Sequence, residues 1–333
     1  MYSNASEHYP AIRFYGVTNL SSSERHRLDT ALHETAQAAG IDPTGAELLR
    51  YTMNAVYRLP AEHIVLRIAP AARVEVVRRV AQIGARLAEL DLPTVRLAPG
   101  QQKAIETPHW AATAWTYLPQ PPGHRHEQVE LARPLRSLHN LQDLGFPLPE
   151  WDPISRAESR VEAAAAAQGK DLRYLQDWAT DRVGIAYVEL IDSLRSRCRE
   201  LRAAVAATSW QLPFSVIHGD AHAGNLQSDA RGQVVLGDLD SVSIGPPEWD
   251  LVPAAHGVER FGDPRPQYDA LTAAYGFDLL TSPTWPALRG IRELQLVTSV
   301  IAGLTGRPDV ADELAHRLRS LISHDTTYWH RYR

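Results

Sequence analysis

Lysine is nearly missing from this chain. Of its 34 lysine and arginine residues, only Lys103 and Lys170 are lysine, which leaves almost no position for a catalytic one. A genome rich in G and C gives such a bias without functional pressure. Cysteine is scarcer still. The single Cys198 excludes an internal disulfide, and its place in the helical run LRSRCRELRAA fits a packed helix residue better than a nucleophile. No run of eighteen apolar residues occurs, so no membrane-spanning helix is expected. MYSNASEHYP offers neither a basic nor an apolar leader region, and a cytoplasmic location is expected. A net charge of −5 provides no broad basic surface, which excludes nucleic acid as an expected partner. Small molecules remain, with the chain acting as a monomer or a homodimer.

The 333 residues suffice for two lobes that each bury a core. A serine cluster ahead of Glu24, apolar Leu28, Leu32 and Ala36, and a closing Gly40 predict a capped amphipathic helix. From Ala46 the period shortens. AELLRYT, AVYRL and HIVLRIA read as three antiparallel strands, a helix follows over roughly 71–90, and TVRLA, KAIET and WAATAWTYL read as further strands. The proline-rich TYLPQPPGHRH breaks regular structure and is expected to be a hinge at about 116–119. Helical patterns then dominate, interrupted by FSVIHGD and by NLQSDARGQVVLGDLD, a hairpin turning at Asp229 to Gly232. The expected class is α+β, with a small sheet lobe over 1–118 and a larger helical lobe over 119–333 that carries a hairpin at 216–240.

That hairpin concentrates the chemistry. VIHGDAHAGNLQ holds His218, Asp220, His222 and Asn225, and Asp238 and Asp240 follow in GDLD. A hairpin of this size brings Asn225 and Asp238 to facing strand ends. One amide oxygen and one carboxylate can there share Mg²⁺, while Asp220 is free to take a proton from an incoming hydroxyl. Two other readings compete. A metallohydrolase would need His218 and His222 on one metal, yet no downstream His/Asp set continues a ligand pattern. A polar loop with only a structural role would have to keep a costly array of acids for packing.

HGDAHAGN followed by LGDLD resembles the catalytic and metal-binding segments of the aminoglycoside phosphotransferase family, small-molecule kinases with a protein-kinase-like bilobal fold. The resemblance implies Asp220 as catalytic aspartate, with Asn225 and Asp238 as ligands of Mg²⁺. It leaves Asp240 as an additional acid and His218 as a loop anchor, with His222 facing the nucleotide, the substrate phosphate or solvent. GPPEWDL resembles the family's small-Pro-x-x-Asp-Leu element, which implies that Asp250 braces the catalytic loop and starts a helix. ATP or GTP would be the phosphate donor.

Such kinases place a lysine on the third strand to grip the α- and β-phosphates. In HIVLRIA the corresponding residue is Arg67, and neither lysine can replace it. Glu75 is the candidate acid partner for Arg67, being the only acid in the first turns of the 71–90 helix. Asn54, at the tip of a glycine-poor first hairpin, would offer a backbone amide to the phosphates. Thr116, Tyr117 and Leu118 would supply backbone groups to the purine.

The acceptor is expected against the segment 150–212 and the C-terminal helices. Between 150 and 200 stand ten acids and eight basic residues, a balance that argues against a highly charged cationic acceptor. Trp151, Tyr174, Trp178, Tyr187 and Trp210 are candidates for stacking or for the core. The leading expectation is O-phosphorylation of an antibiotic (aminoglycoside-, peptide- or nucleoside-type) for self-resistance. A kinase of a primary metabolite such as an amino alcohol or sugar, and an inactive nucleotide-binding pseudokinase, are the alternatives.

Overall fold

The computed structural model describes residues 20–332, so the opening segment assigned to the first lobe lies outside the described residues. The predicted caps are present. Ser21 accepts from the Glu24 amide, the Glu24 carboxylate accepts from the Ser21 amide, and Gly40 ends helix α1 (Ser22–Ala39) in the left-handed region at φ 66°. Leu28, Ala31, Leu32, Thr35 and Ala36 form its buried stripe. They pack on an antiparallel sheet of order β1 (Glu47–Tyr51), β2 (Ala55–Leu59), β3 (Ile64–Pro70), β5 (Trp110–Thr116) and β4 (Ile105–Glu106). Alternation in β2 turns Ala55, Tyr57 and Leu59 toward that core. β3 continues the pattern with Ile64, Leu66 and Ile68 inward, which leaves Arg67 on the other face.

That other face is covered by α2 (Val74–Glu89). The approach is close at Gly84, where an added Cβ would stand 2.9 Å from the Trp115 ring. Trp115 thus packs against the helix, its indole N–H donated to Thr113 Oγ1 at 2.8 Å. TVRLA does not become a strand. Pro93 precedes it, and its residues are shared between neighbours: Thr94 bridges to Leu236 and Leu97 to Trp115. Val95 donates its amide to Leu236 O at 2.9 Å, and Leu236 donates to Pro93 O at 2.8 Å. The segment therefore sews the sheet lobe to the hairpin of the second lobe. A shared core of Val80, Ile83, Leu87, Val95, Trp115, Val216 and Val235 fills the joint.

The second lobe is mainly helical, with α3 (Ala132–His139), α4 (Ser155–Ala165), α5 (Gly169–Trp178), α6 (Tyr187–Ala207), α7 (Glu248–Phe261), α8 (Arg265–Tyr275), α9 (Trp285–Ile301) and α10 (Ala311–Ser323) around one large core. Two short ribbons are set into it: β6 (Ser215–Ile217) pairs with β9 (Ser243–Gly245), and β7 (Leu226–Ser228) with β8 (Val234–Leu236). The second turns where expected, as Asp229 Oδ1 accepts from the Arg231 and Gln233 amides and Gly232 adopts φ 73°. Trp178 and Tyr187 are core residues, and Trp151 stacks edgewise on Trp210. Among the described residues no helix is long and apolar enough to cross a membrane.

Candidate active site

The loop between β6 and β7 is held from below by one buried carboxylate. Asp250, in the first turn of α7, accepts from the His218 amide at 2.6 Å, the Gly219 amide at 2.7 Å and His139 Nε2 at 2.9 Å. Burial would push its pKa up. The hydrogen bond and charge of His139, with help from His218, hold it below the ordinary carboxylate range. Gly219 sits at φ 84°, and a Cβ there would lie 2.3 Å from Ser241 O, so no other residue fits the turn. His218 is fully buried and bonds through Nε2 to Gly237 O at 2.8 Å. Since a carbonyl only accepts, this nitrogen carries the proton, and the histidine ties the loop to the end of β8.

Asn225 and Asp238 are brought side by side by a backbone hydrogen bond from Gly237 N to Asn225 O at 2.8 Å. The Asn225 amide donates to Asp220 O at 2.9 Å, so its Oδ1 is the atom turned outward. Asp238 is a non-glycine residue at φ 54°, a conformation that costs about 1–3 kcal/mol and that folds keep mostly at functional sites. An amide oxygen and a carboxylate are the hard donors that Mg²⁺ takes. Among the described residues no three His, Cys, Asp or Glu side chains converge on one point. A cation here would complete its shell with phosphate oxygens and water, so the pair fits a nucleotide-bound Mg²⁺.

Arg67 reaches this point from the other lobe. Its Nη1 lies 3.1 Å from Asp238 Oδ1 and its Nη2 2.5 Å from Asp240 Oδ2. Burial raises the Asp240 pKa, Arg67 opposes the rise, and the neighbouring Asp238 charge adds to it. Glu75 is not the acid partner. It lies on the solvent face of α2, paired with Arg78 at 2.6 Å, and Arg78 also binds Glu106. The acids on Arg67 come from the hairpin instead. Asn54 lies in the roof of the same cleft, but its side chain accepts from Arg73 Nη1 at 3.2 Å, a contact the sequence did not suggest.

Two cavities meet at the hairpin. The first, about 460 Å³, has apolar walls from Val56, Val65, Trp115 and Leu239, is edged by Thr116, Tyr117 and Leu118, and ends at Arg67, Asn225 and Asp238. The second, about 690 Å³, opens beside His222 and Gly224 toward α7 and α9. Both are of ligand size. They share Gln120, Gly224 and Leu226. Gln120 binds Leu118 O at 3.1 Å and exchanges two hydrogen bonds with the Ser228 backbone, coupling the hinge to the hairpin. Asp220 is half-exposed, and Arg292 Nη1 of α9 stands 3.9 Å from its carboxylate at the rim of the larger cavity. The segment 150–212 contributes no described lining residue to that cavity, whereas the C-terminal helices do. Burial lowers the His222 pKa and Asp220 opposes the drop.

The phosphotransferase enzyme family matches residues 26–291. No curated protein sequence matches the chain. Solved structures with a similar fold include an amicoumacin kinase in complex with AMP-PNP, Ca²⁺ and Ami, at TM-score 0.64 and 14% identity over 91% of this chain and 96% of that one. An aminoglycoside phosphotransferase of Streptomyces rimosus, in complex with ADP and streptomycin, aligns at TM-score 0.56 and 20% identity over 80% and 98%. A spectinomycin phosphotransferase with ADP and its antibiotic aligns at 0.55 and 13% over 89% and 91%. With the bilobal protein-kinase-like architecture and a family match spanning most of its length, the chain belongs to the phosphotransferase enzyme family.

Proposed function

We propose that this phosphotransferase is Mg²⁺-dependent, works in the cytoplasm, and moves the γ-phosphoryl group of ATP or GTP to a hydroxyl of an antibiotic. The observation that supports it most is the seam between the cavities. Asn225 and Asp238 open to the narrower, apolar-walled one, while Asp220 stands beside Arg292 and His222 of the wider one. A Mg²⁺ held by Asn225 Oδ1 and Asp238 would neutralise phosphate charge as the bond to the γ-phosphorus is exchanged. Asp220 takes the proton of the acceptor hydroxyl. The acceptor oxygen then bonds to the γ-phosphorus as the β–γ bridge breaks, and the nucleoside diphosphate leaves with the bridging oxygen. Arg67, on β3, grips the phosphates, Asp240 orients Arg67, and Asp250 with His218 fixes the loop. Asn54 covers the phosphates, and the backbone at 116–118 faces the base. An antibiotic acceptor is supported by the amicoumacin, streptomycin and spectinomycin named for proteins of the same fold.

Incubation with Mg·ATP or Mg·GTP and panels of antibiotics and metabolites, read as a gain of one phosphoryl group by mass, tests the acceptor. Modification of metabolites alone would overturn the antibiotic reading. Arg67→Ala is expected to raise the nucleotide KM by roughly 10- to 100-fold, the worth of one or two charge-assisted hydrogen bonds. An unchanged KM in steady-state kinetics would remove Arg67 from the phosphate grip.

A further inference from the structure

The larger cavity has the wrong electrostatics for a polycation. Among the described residues the only carboxylate-bearing one that lines it is Asp263, and Asp263 Oδ2 is already bound by Arg331 at 2.6 Å. Two further arginines line it, neither with a hydrogen-bond acceptor among the described residues. Arg125, exposed on the loop after the hinge, makes no hydrogen bond or ion pair among the described residues. Arg292 is largely enclosed, and its sole partner among them is Asp220 at 3.9 Å, beyond hydrogen-bond reach. A half-buried guanidinium that turns unpaired N–H donors into the cavity is a ready partner for an acceptor on a ligand.

The wall also leaves three buried polar atoms without partners: His126 Nε2, Gln128 Oε1 and His256 Nε2. Native folds rarely tolerate such atoms, and all three belong to residues of this one wall. Burial first, then the charges of Arg292, Arg260, Arg317 and Arg289, press the His256 pKa down to about 2, so this ring is neutral and adds no charge of its own.

We propose that the acceptor carries an anionic group, a carboxylate or a phosphate ester, held by Arg292 and Arg125 while its hydroxyl faces Asp220. The inference rests on reading the larger cavity as the acceptor site, and it narrows that reading by excluding polycationic aminoglycosides.

The test uses the full chain loaded with Mg·AMP-PNP, which fills the γ-phosphate position so that an added anion must bind elsewhere. Malonate and inorganic phosphate are titrated separately by calorimetry, and the arm that binds identifies the group. Saturable binding is expected, weakened at least about tenfold by Arg292→Gln and less by Arg125→Ser. Arg182→Gln, altering an exposed pair with Asp312 outside the cavity, should bind as wild type does. Should Arg292→Gln fail to fold, Arg125→Ser carries the same test. Absence of saturable binding in both arms, or equal affinity in wild type and both arginine variants, would overturn the inference alone. Failure of both Mg·AMP-PNP and Mg·GMP-PNP to bind would overturn the kinase reading and this inference with it.

Discussion

Asp220→Asn is expected to lower turnover by roughly 10²- to 10⁴-fold, the usual contribution of a positioned general base. That loss is about 3–5 kcal/mol of transition-state stabilisation. The substitution is nearly isosteric, and the bond that organises Asn225 runs to the Asp220 backbone carbonyl, which the variant keeps. The Asp220 side chain has only the loose 3.9 Å contact with Arg292 to lose. Nucleotide affinity and melting temperature should therefore stay close to wild type while kcat falls. Rapid-quench or steady-state assays with the identified acceptor separate the two. A variant with full kcat would remove Asp220 from the base role, and one with equally weakened nucleotide binding would point to a distorted loop instead.

The second large effect concerns stability. Asp250→Ala removes a fully enclosed carboxylate and leaves the His218 and Gly219 amides and His139 without their shared acceptor. Breaking one partner of a buried charged network costs about 3–5 kcal/mol. The expected result is a lower denaturation midpoint together with loss of activity, because the same two amides shape the turn that carries Asp220. The acid limb gives an independent check. The folded-state pKa of Asp250 lies below the unfolded value, so its contribution is fully present above about pH 4, the unfolded-state range. It declines as pH falls from there and is gone once pH has passed through the depressed folded value. Wild type and Asp250→Ala should thus differ most in denaturant melts at pH 7 and converge in strong acid. A constant gap across that range would mean that the carboxylate charge contributes nothing.

Local chemistry was readable and distant chemistry was not. Ser21, Glu24 and Gly40 mark the ends of α1 because caps are written within a few residues of the helix they close. The hairpin turn at Asp229–Gly232 is equally local. HGDAHAGN and GDLD are close in sequence and meet through one hairpin, which is why Asn225 and Asp238 could be paired before any coordinates. Arg67 shows where this stops. Its position on β3 was legible, but its acids lie 171 and 173 residues downstream, and Glu75, the only acid in the first turns of the following helix, pairs with an i,i+3 partner on its own surface. TVRLA has the composition of a strand, yet Pro93 and the split between two neighbours leave it only isolated bridges. Arg292, Gln120 and His139 carry no local signal at all, since each acquires its role from a segment far along the chain.

The two cavities touch along an edge of only Gln120, Gly224 and Leu226. The narrower cavity, the proposed donor side, is built by the sheet and the hairpin. The wider one, the proposed acceptor side, is built by the loop after the hinge, α7, α9 and the chain's last described residues. Substitutions can therefore accumulate on the acceptor wall without disturbing the machinery that handles the phosphates. In the proposed reading, one wall can then change its ligand while the other keeps its own. New acceptor specificity should arise first at positions such as 125, 128 and 256, and a directed-evolution library confined to that wall should retain nucleotide binding in most of its members.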